Sequence, residues 1–133
     1  NNSAGSNAVA MGDSTIASGT AATAMGLYTI ASGSSSTAMG AFTEASISYS
    51  TAMGRNTTAI ATSSTAMGRG TTASGEESTA MGRSTTASGS RSTSMGGYTT
   101  ASDFASLVIG QYNSSGSSVT NSVLYLIQQT QLL

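Results

Sequence analysis

The side chains able to do chemistry are few, and they do not assemble into a site. The acids are Asp13, Glu44, Glu76, Glu77 and Asp103, the bases are Arg55, Arg69, Arg83 and Arg91, and the 133 residues include no His, Cys, Trp or Pro. General acid/base work needs two titratable groups held at a fixed separation, and no acid pair recurs at such a spacing. Without His or Cys, no ordinary triad, thiolate nucleophile or zinc site can be built. Calcium-binding roll repeats need an Asp in every coil, and here Asp occurs only at Asp13 and Asp103. The expectation is therefore a non-enzymatic chain with no cofactor and no metal. A net charge of -1 also removes the electrostatic case for a nucleic-acid partner.

What these residues do have is spacing. Arg55, Arg69 and Arg83 stand fourteen apart, and so do Met11, Met25, Met39, Met53, Met67, Met81 and Met95, each followed by Gly, with Ile109-Gly110 in the same frame. A fixed period over most of a chain means stacked copies of one small unit. The unit reads S-T-A-M-G-x-x-T-x-A-S-G-x-x, as in Ser64 to Glu77, and within it Ala recurs every seven residues from Ala17 to Ala87. Each unit is thus read as two similar halves.

An Ala period of seven could belong to a helical seam, but a Gly in nearly every heptad among Ser and Thr leaves no stable helix. Collagen is excluded because Gly is not at every third place. What remains is a strand of about five residues and a two-residue turn, twice per unit, with Gly expected to supply the turn backbone and Thr suited to the strands. The fold expected is an all-β solenoid of parallel strands with fourteen residues per coil.

Strand alternation then assigns directions. In T-x-A-S-G the x column holds Ile16, Ile30, Glu44, Thr58, Thr72, Thr86 and Thr100, and a column that accepts Glu44 should face water. Thr29 with Ala31, and Ser36 with Ala38, then point in, while Thr37 and Met39 point out. Seven methionines left in water would forgo on the order of 10 kcal/mol per chain, so the apolar stripe asks for a partner. Met11, Met25, Met39, Met53, Met67, Met81, Met95 and Ile109 are the expected oligomer interface. The alternative is a monomer whose methionines fill the roll.

Asn7-Ala8-Val9-Ala10-Met11-Gly12 followed by Ser14-Thr15-Ile16-Ala17, and Ser106-Leu107-Val108-Ile109-Gly110, resemble the head repeats of trimeric autotransporter adhesins, whose pattern runs Asn-Ser-Val-Ala-Ile-Gly, then x-x-Ser-x-Ala. The resemblance covers about residues 4 to 112. It implies a left-handed parallel β-roll, a side-by-side homotrimer with the Thr37 and Met39 columns on its inner wall, and an extracellular role in attachment at a bacterial cell surface. Thr in place of Val and Met in place of Ile imply softer packing there. No stalk or membrane-anchor barrel of that family is in this sequence, and no membrane contact is expected within it.

Ligand-facing residues are expected where the repeat varies, namely at turn positions Tyr28, Phe42, Arg55, Arg69, Arg83 and Tyr98. The arginine ladder suits a sulfated glycan or an acidic extracellular matrix protein. It could equally pair with Glu76 and Glu77 of a neighbouring chain, or stand as a solvated edge. Two other functions stay open: a plain structural fibre, and an ice-binding face built on ranks such as Thr72 with Ser74 and Thr86 with Ser88. The domain reading is a repeat array at 1–112, a Ser/Gly-rich linker or loop at 113–118, and a cap or neck-like segment at 119–133, whose spacing fits a helix or a strand.

Overall fold

In the computed structural model, which describes residues 2–115, the chain is a parallel β-solenoid. Nine two-residue strands, from Asn2–Ser3 to Ser114–Ser115, alternate along the chain with eight five-residue strands, from Val9–Asp13 to Leu107–Gln111. Short strands pair only with short strands and long with long, so the coil has two walls. Each pairing advances the register by one whole unit: Thr65–Arg69 lies between Thr51–Arg55 and Thr79–Arg83, with Met67 between Met53 and Met81. Ser114–Ser115, expected in a linker, form the last short strand beside Thr100–Ala101. The segment expected as a cap or neck at 119–133 lies outside the described residues.

The interior is filled by small side chains. Ala24, Ala38, Ala52, Ala66 and Ala80 of the long wall meet Ala17, Ala31, Ala45, Ala59, Ala73 and Ala87 of the short wall, all at 0% exposure. Thr29, Thr43, Thr57 and Thr71 close one side and Ser36, Ser50, Ser64 and Ser78 the other, each fully buried. The directions expected for Thr, Ser and Ala thus hold. Among the described residues Val108 is the one bulky apolar side chain inside. A fourteen-residue coil has no room for more.

The two halves of the unit are not equivalent, contrary to the sequence reading. After Ala17 the short strand ends because the amides of Ser18 and Gly19 both donate to the Ala31 carbonyl, at 3.0 and 3.3 Å, which breaks the one-to-one ladder. After Ala24 the ladder continues through Met25, Gly26 and Leu27.

Glycine does not make the corners either. The left-handed backbone conformation falls at every seventh residue, from Asn7 and Ser14 to Ala105 and Tyr112, with φ between 51° and 61° at the non-glycine positions. Only Gly70 puts a glycine there. Side chains in this region cost about 1–2 kcal/mol each, and here the twist turns each corner amide onto the preceding coil. Tyr28 donates to the Asp13 carbonyl, Phe42 to Leu27 and Asn56 to Ala41, each at 2.9 Å. The ladder therefore runs around the corners, and those bonds offset the strain. The Met-Gly glycines serve close approach instead. A Cβ on Gly68, whose φ is +118°, would lie 2.0 Å from the Gly82 carbonyl oxygen in the next coil.

Candidate functional site

The long wall carries the methionine column on its outer face, in register from Met11 through Met25, Met39, Met53, Met67, Met81 and Met95 to Ile109. The methionines do not fill the roll. Met11 is 54% exposed, Met39 36% and Ile109 51%, while Met25, Met53, Met67, Met81 and Met95 are half-buried by their neighbours in the column. That mutual cover lowers the gain left for a partner to about half the fully exposed figure, on the order of 5 kcal/mol per chain. The Thr23, Thr37, Thr51, Thr65, Thr79 and Thr93 column lies half-buried beside it, and an exposed Val9 extends the apolar surface at the first coil.

The varied side chains gather on the two lines of corners. On the edge that follows the long strands, Tyr28 stacks on Phe42 at a ring separation of 5.3 Å and Tyr98 on Tyr112 at 5.0 Å. Between the two stacks stand Arg55, Arg69 and Arg83, all exposed, at consecutive strand ends. The Arg83 guanidinium lies over the Tyr98 ring, 5.4 Å from its centre. At a strand spacing of about 4.8 Å, neighbouring charges in this ladder repel by about 0.9 kcal/mol even in bulk water. All six expected ligand-facing residues stand on this one edge, one in each of six successive coils from Tyr28 to Tyr98.

The opposite edge, preceding the long strands, is acidic in its middle. Arg91 donates to Glu77 at 2.8 Å from the next coil, the one ion pair among the described residues. That bond and the Glu77 charge raise the Arg91 pKa, with a smaller push from Glu76, so the guanidinium keeps its charge through any ordinary pH. Its other face lies over Phe104, 5.6 Å from the ring centre. Glu76, Glu77, Ser90, Arg91 and Phe104 line an open cleft on this edge.

A second open cleft lies at the other end of the roll, lined by Asn2, Ser14, Thr15, Ile16, Tyr28 and Ile30. The sequence reading placed Ile16 and Ile30 in the outward x column and did not join them to Tyr28. The signal was present, since Thr29, one residue past the corner, turns inward and leaves the Tyr28 ring beside the outward Ile30. Among the described residues no group of three acids, His or Cys is close enough to hold a metal ion, and no helix is long and apolar enough to cross a membrane.

The model of the YadA head domain repeat matches residues 3–29, 31–57, 59–85 and 73–99, each window spanning nearly two coils. A comparison with curated proteins gives no match. That family is made of structural adhesin repeats rather than enzymes. Because these windows together cover most of the array and well over half of the chain, the chain belongs to the YadA head domain repeat family.

Proposed function

We propose that the chain is a non-enzymatic head module of a bacterial surface adhesin, assembled as a homotrimer through its methionine face and presenting its corners to an extracellular matrix protein or glycan. The observation that carries this is the unbroken apolar column on the outside of a roll whose other surfaces are rich in Ser and Thr. Eight in-register apolar side chains form a straight strip of roughly 35 Å at the β spacing. A strip of that shape suits parallel association with further copies of itself.

In this assembly the long walls face a common axis and the two lines of corners flank the seams between neighbouring subunits, their outer rims open to solvent. Tyr28, Phe42, Arg55 and Tyr98 are the residues through which a ligand would be met, joined by Arg69 and Arg83 where these are not engaged by a neighbouring subunit. Light scattering or sedimentation tests the assembly: the chain should weigh three times its 13.0 kDa. Met67→Asp should dissociate it, because each copy would bring a carboxylate to the axis among half-buried methionines. A stable, folded monomer of the unsubstituted chain would sink the reading. The ice-binding alternative is separated by a thermal-hysteresis measurement, in which an adhesin head leaves ice growth untouched.

A further inference from the structure

Resting on the trimer reading, we propose that the two corner edges are complementary halves of one intersubunit contact, in which Arg69 and Arg83 of one subunit embrace Glu76 and Glu77 of the partner subunit. A rotation axis parallel to the roll carries every residue to the same height in the next chain, and a cyclic interface joins unlike surfaces. The edge that ends the long strands in one subunit therefore adjoins the edge that begins them in the next. Arg69 and Arg83 end the strands Thr65–Arg69 and Thr79–Arg83. The corner at Glu76 and Glu77 links the short strand Thr72–Ala73 to the start of Thr79–Arg83. Its height falls between those two arginines.

The charges fit this placement. Among the described residues no carboxylate pairs with Arg55, Arg69 or Arg83, and the nearest acid along their edge is Asp13, three coils before Arg55. Across the roll, Arg91 holds Glu77, and among the described residues Glu76 has no ion-pair partner. The cleft lined by Glu76, Glu77, Ser90, Arg91 and Phe104 opens on that edge. A guanidinium entering it meets two carboxylates and sits near an aromatic ring.

The contact supplies something the methionine face lacks. A column of near-identical side chains packs about as well against an antiparallel neighbour as against a parallel one. Reversing a neighbour while keeping its long wall toward the axis exchanges its edges, so arginine ladder would meet arginine ladder. Like charges so juxtaposed disfavour that arrangement. The ionic edges select the parallel ring.

The test is charge reversal read by trimer melting and mass. Arg69→Glu with Arg83→Glu makes both edges acidic and should lower the melting temperature of the trimer by several degrees, less so at high salt. If that variant does not fold, Arg69→Gln with Arg83→Gln should give a smaller drop of the same kind. Adding Glu76→Arg, Glu77→Arg and Arg91→Glu exchanges the edges while keeping an ion pair within the chain, and should restore the melting temperature. Refolded together, this exchanged chain and the unsubstituted chain should sort into separate trimers. Free mixing, or trimer melting indifferent to the reversal at low salt, overturns the proposal and leaves the methionine-face trimer standing. Loss of heparin binding in Arg69→Glu with Arg83→Glu, with melting unchanged, overturns it in favour of a ligand-binding ladder. An unsubstituted chain that is monomeric removes the trimer reading and this contact together.

Discussion

The hydroxyls of Thr29, Thr43, Thr57, Thr71 and Thr85 are buried without a hydrogen-bond partner, one in each successive coil. An orphaned hydroxyl of this kind costs about 1–3 kcal/mol, so the inward Thr column is a standing loss that the small interior tolerates. One coil removes it. Ser94 stands where other coils have Ala66 or Ala80, and its Oγ lies 2.7 Å from the Thr99 Oγ1, with both residues at 0% exposure. The same pair can be built elsewhere. Ala66→Ser should bond Thr71 and raise stability by about 1 kcal/mol in chemical denaturation. Thr71→Val, which deletes the orphan, should be neutral or mildly stabilising. A loss of 1 kcal/mol or more in both variants would mean that the Thr71 hydroxyl already has a partner. The buried Ser column needs no such repair at Ser36, Ser50 and Ser64, whose hydroxyls donate to the carbonyls of Gly33, Ile47 and Ala61 at 2.6–2.7 Å and close the corner.

At the scale of the strand and its corners, two glycine columns with the same look in sequence have different duties. In the Met-Gly column every glycine has φ between +114° and +127°, and from Gly12 to Gly96 a Cβ would meet the next coil's backbone within the ladder of five-residue strands. In the Ser-Gly column Gly75 also lies close to the next coil, 2.1 Å from a Cβ to the Gly89 carbonyl oxygen, but Ile47 and Ala61 occupy that column elsewhere. There the backbone gives way: Ser46 keeps its bond to Ala59, and the Ala61 amide turns to the Ser64 hydroxyl at 3.2 Å. Gly68→Ala should therefore cost about 3 kcal/mol or more, and Gly75→Ala no more than about 1 kcal/mol, compared by urea denaturation. Equal losses would show that the positive φ carries no weight. This difference also marks where sequence reasoning stops. Period, inward Ala and outward Met were legible because strand alternation is local and Glu44 fixes one column outward. Unequal strand lengths were not, because they depend on two amides sharing the Ala31 carbonyl in the next coil. The corner position was hidden for a related reason. It is filled by Tyr28, Phe42, Ser84 and Glu77, whose left-handed backbone is held by bonds to the preceding coil that no local signal reveals. The edge of the candidate site was legible from the fourteen-residue spacing, whereas the union of Tyr28 with Ile16 and Ile30 required the corner geometry.

For the whole molecule, stability is a sum over coils, since each coil touches only its neighbours. The fundamental unit can then be decided by deletion. Removing Ser64 to Glu77 takes out one whole coil and brings Ser63 against Ser78, so the Met53 strand becomes the direct neighbour of the Met81 strand and all columns stay in register. That chain should keep its β circular dichroism and its oligomeric mass, with a methionine strip one residue shorter. It also loses Arg69 and the acidic corner, so on the contact proposed above its trimer should melt lower than the lost coil alone explains. Removing Thr71 to Glu77 takes out only half a coil. Gly70 is then followed by Ser78-Thr79-Ala80-Met81, which asks a five-residue strand to lie in the wall of two-residue strands, with Met81 where the outward Ser74 would have been. Every later methionine moves to the opposite wall, and the strip is cut in two. No continuous face of more than five apolar rungs survives, so the half-coil deletion should melt far below the whole-coil one and should lose the assembled mass. If both deletions behave alike, the seven-residue Ala period is the structural unit and the two walls are interchangeable. The parallel pairing of long strands only with long strands argues against that outcome.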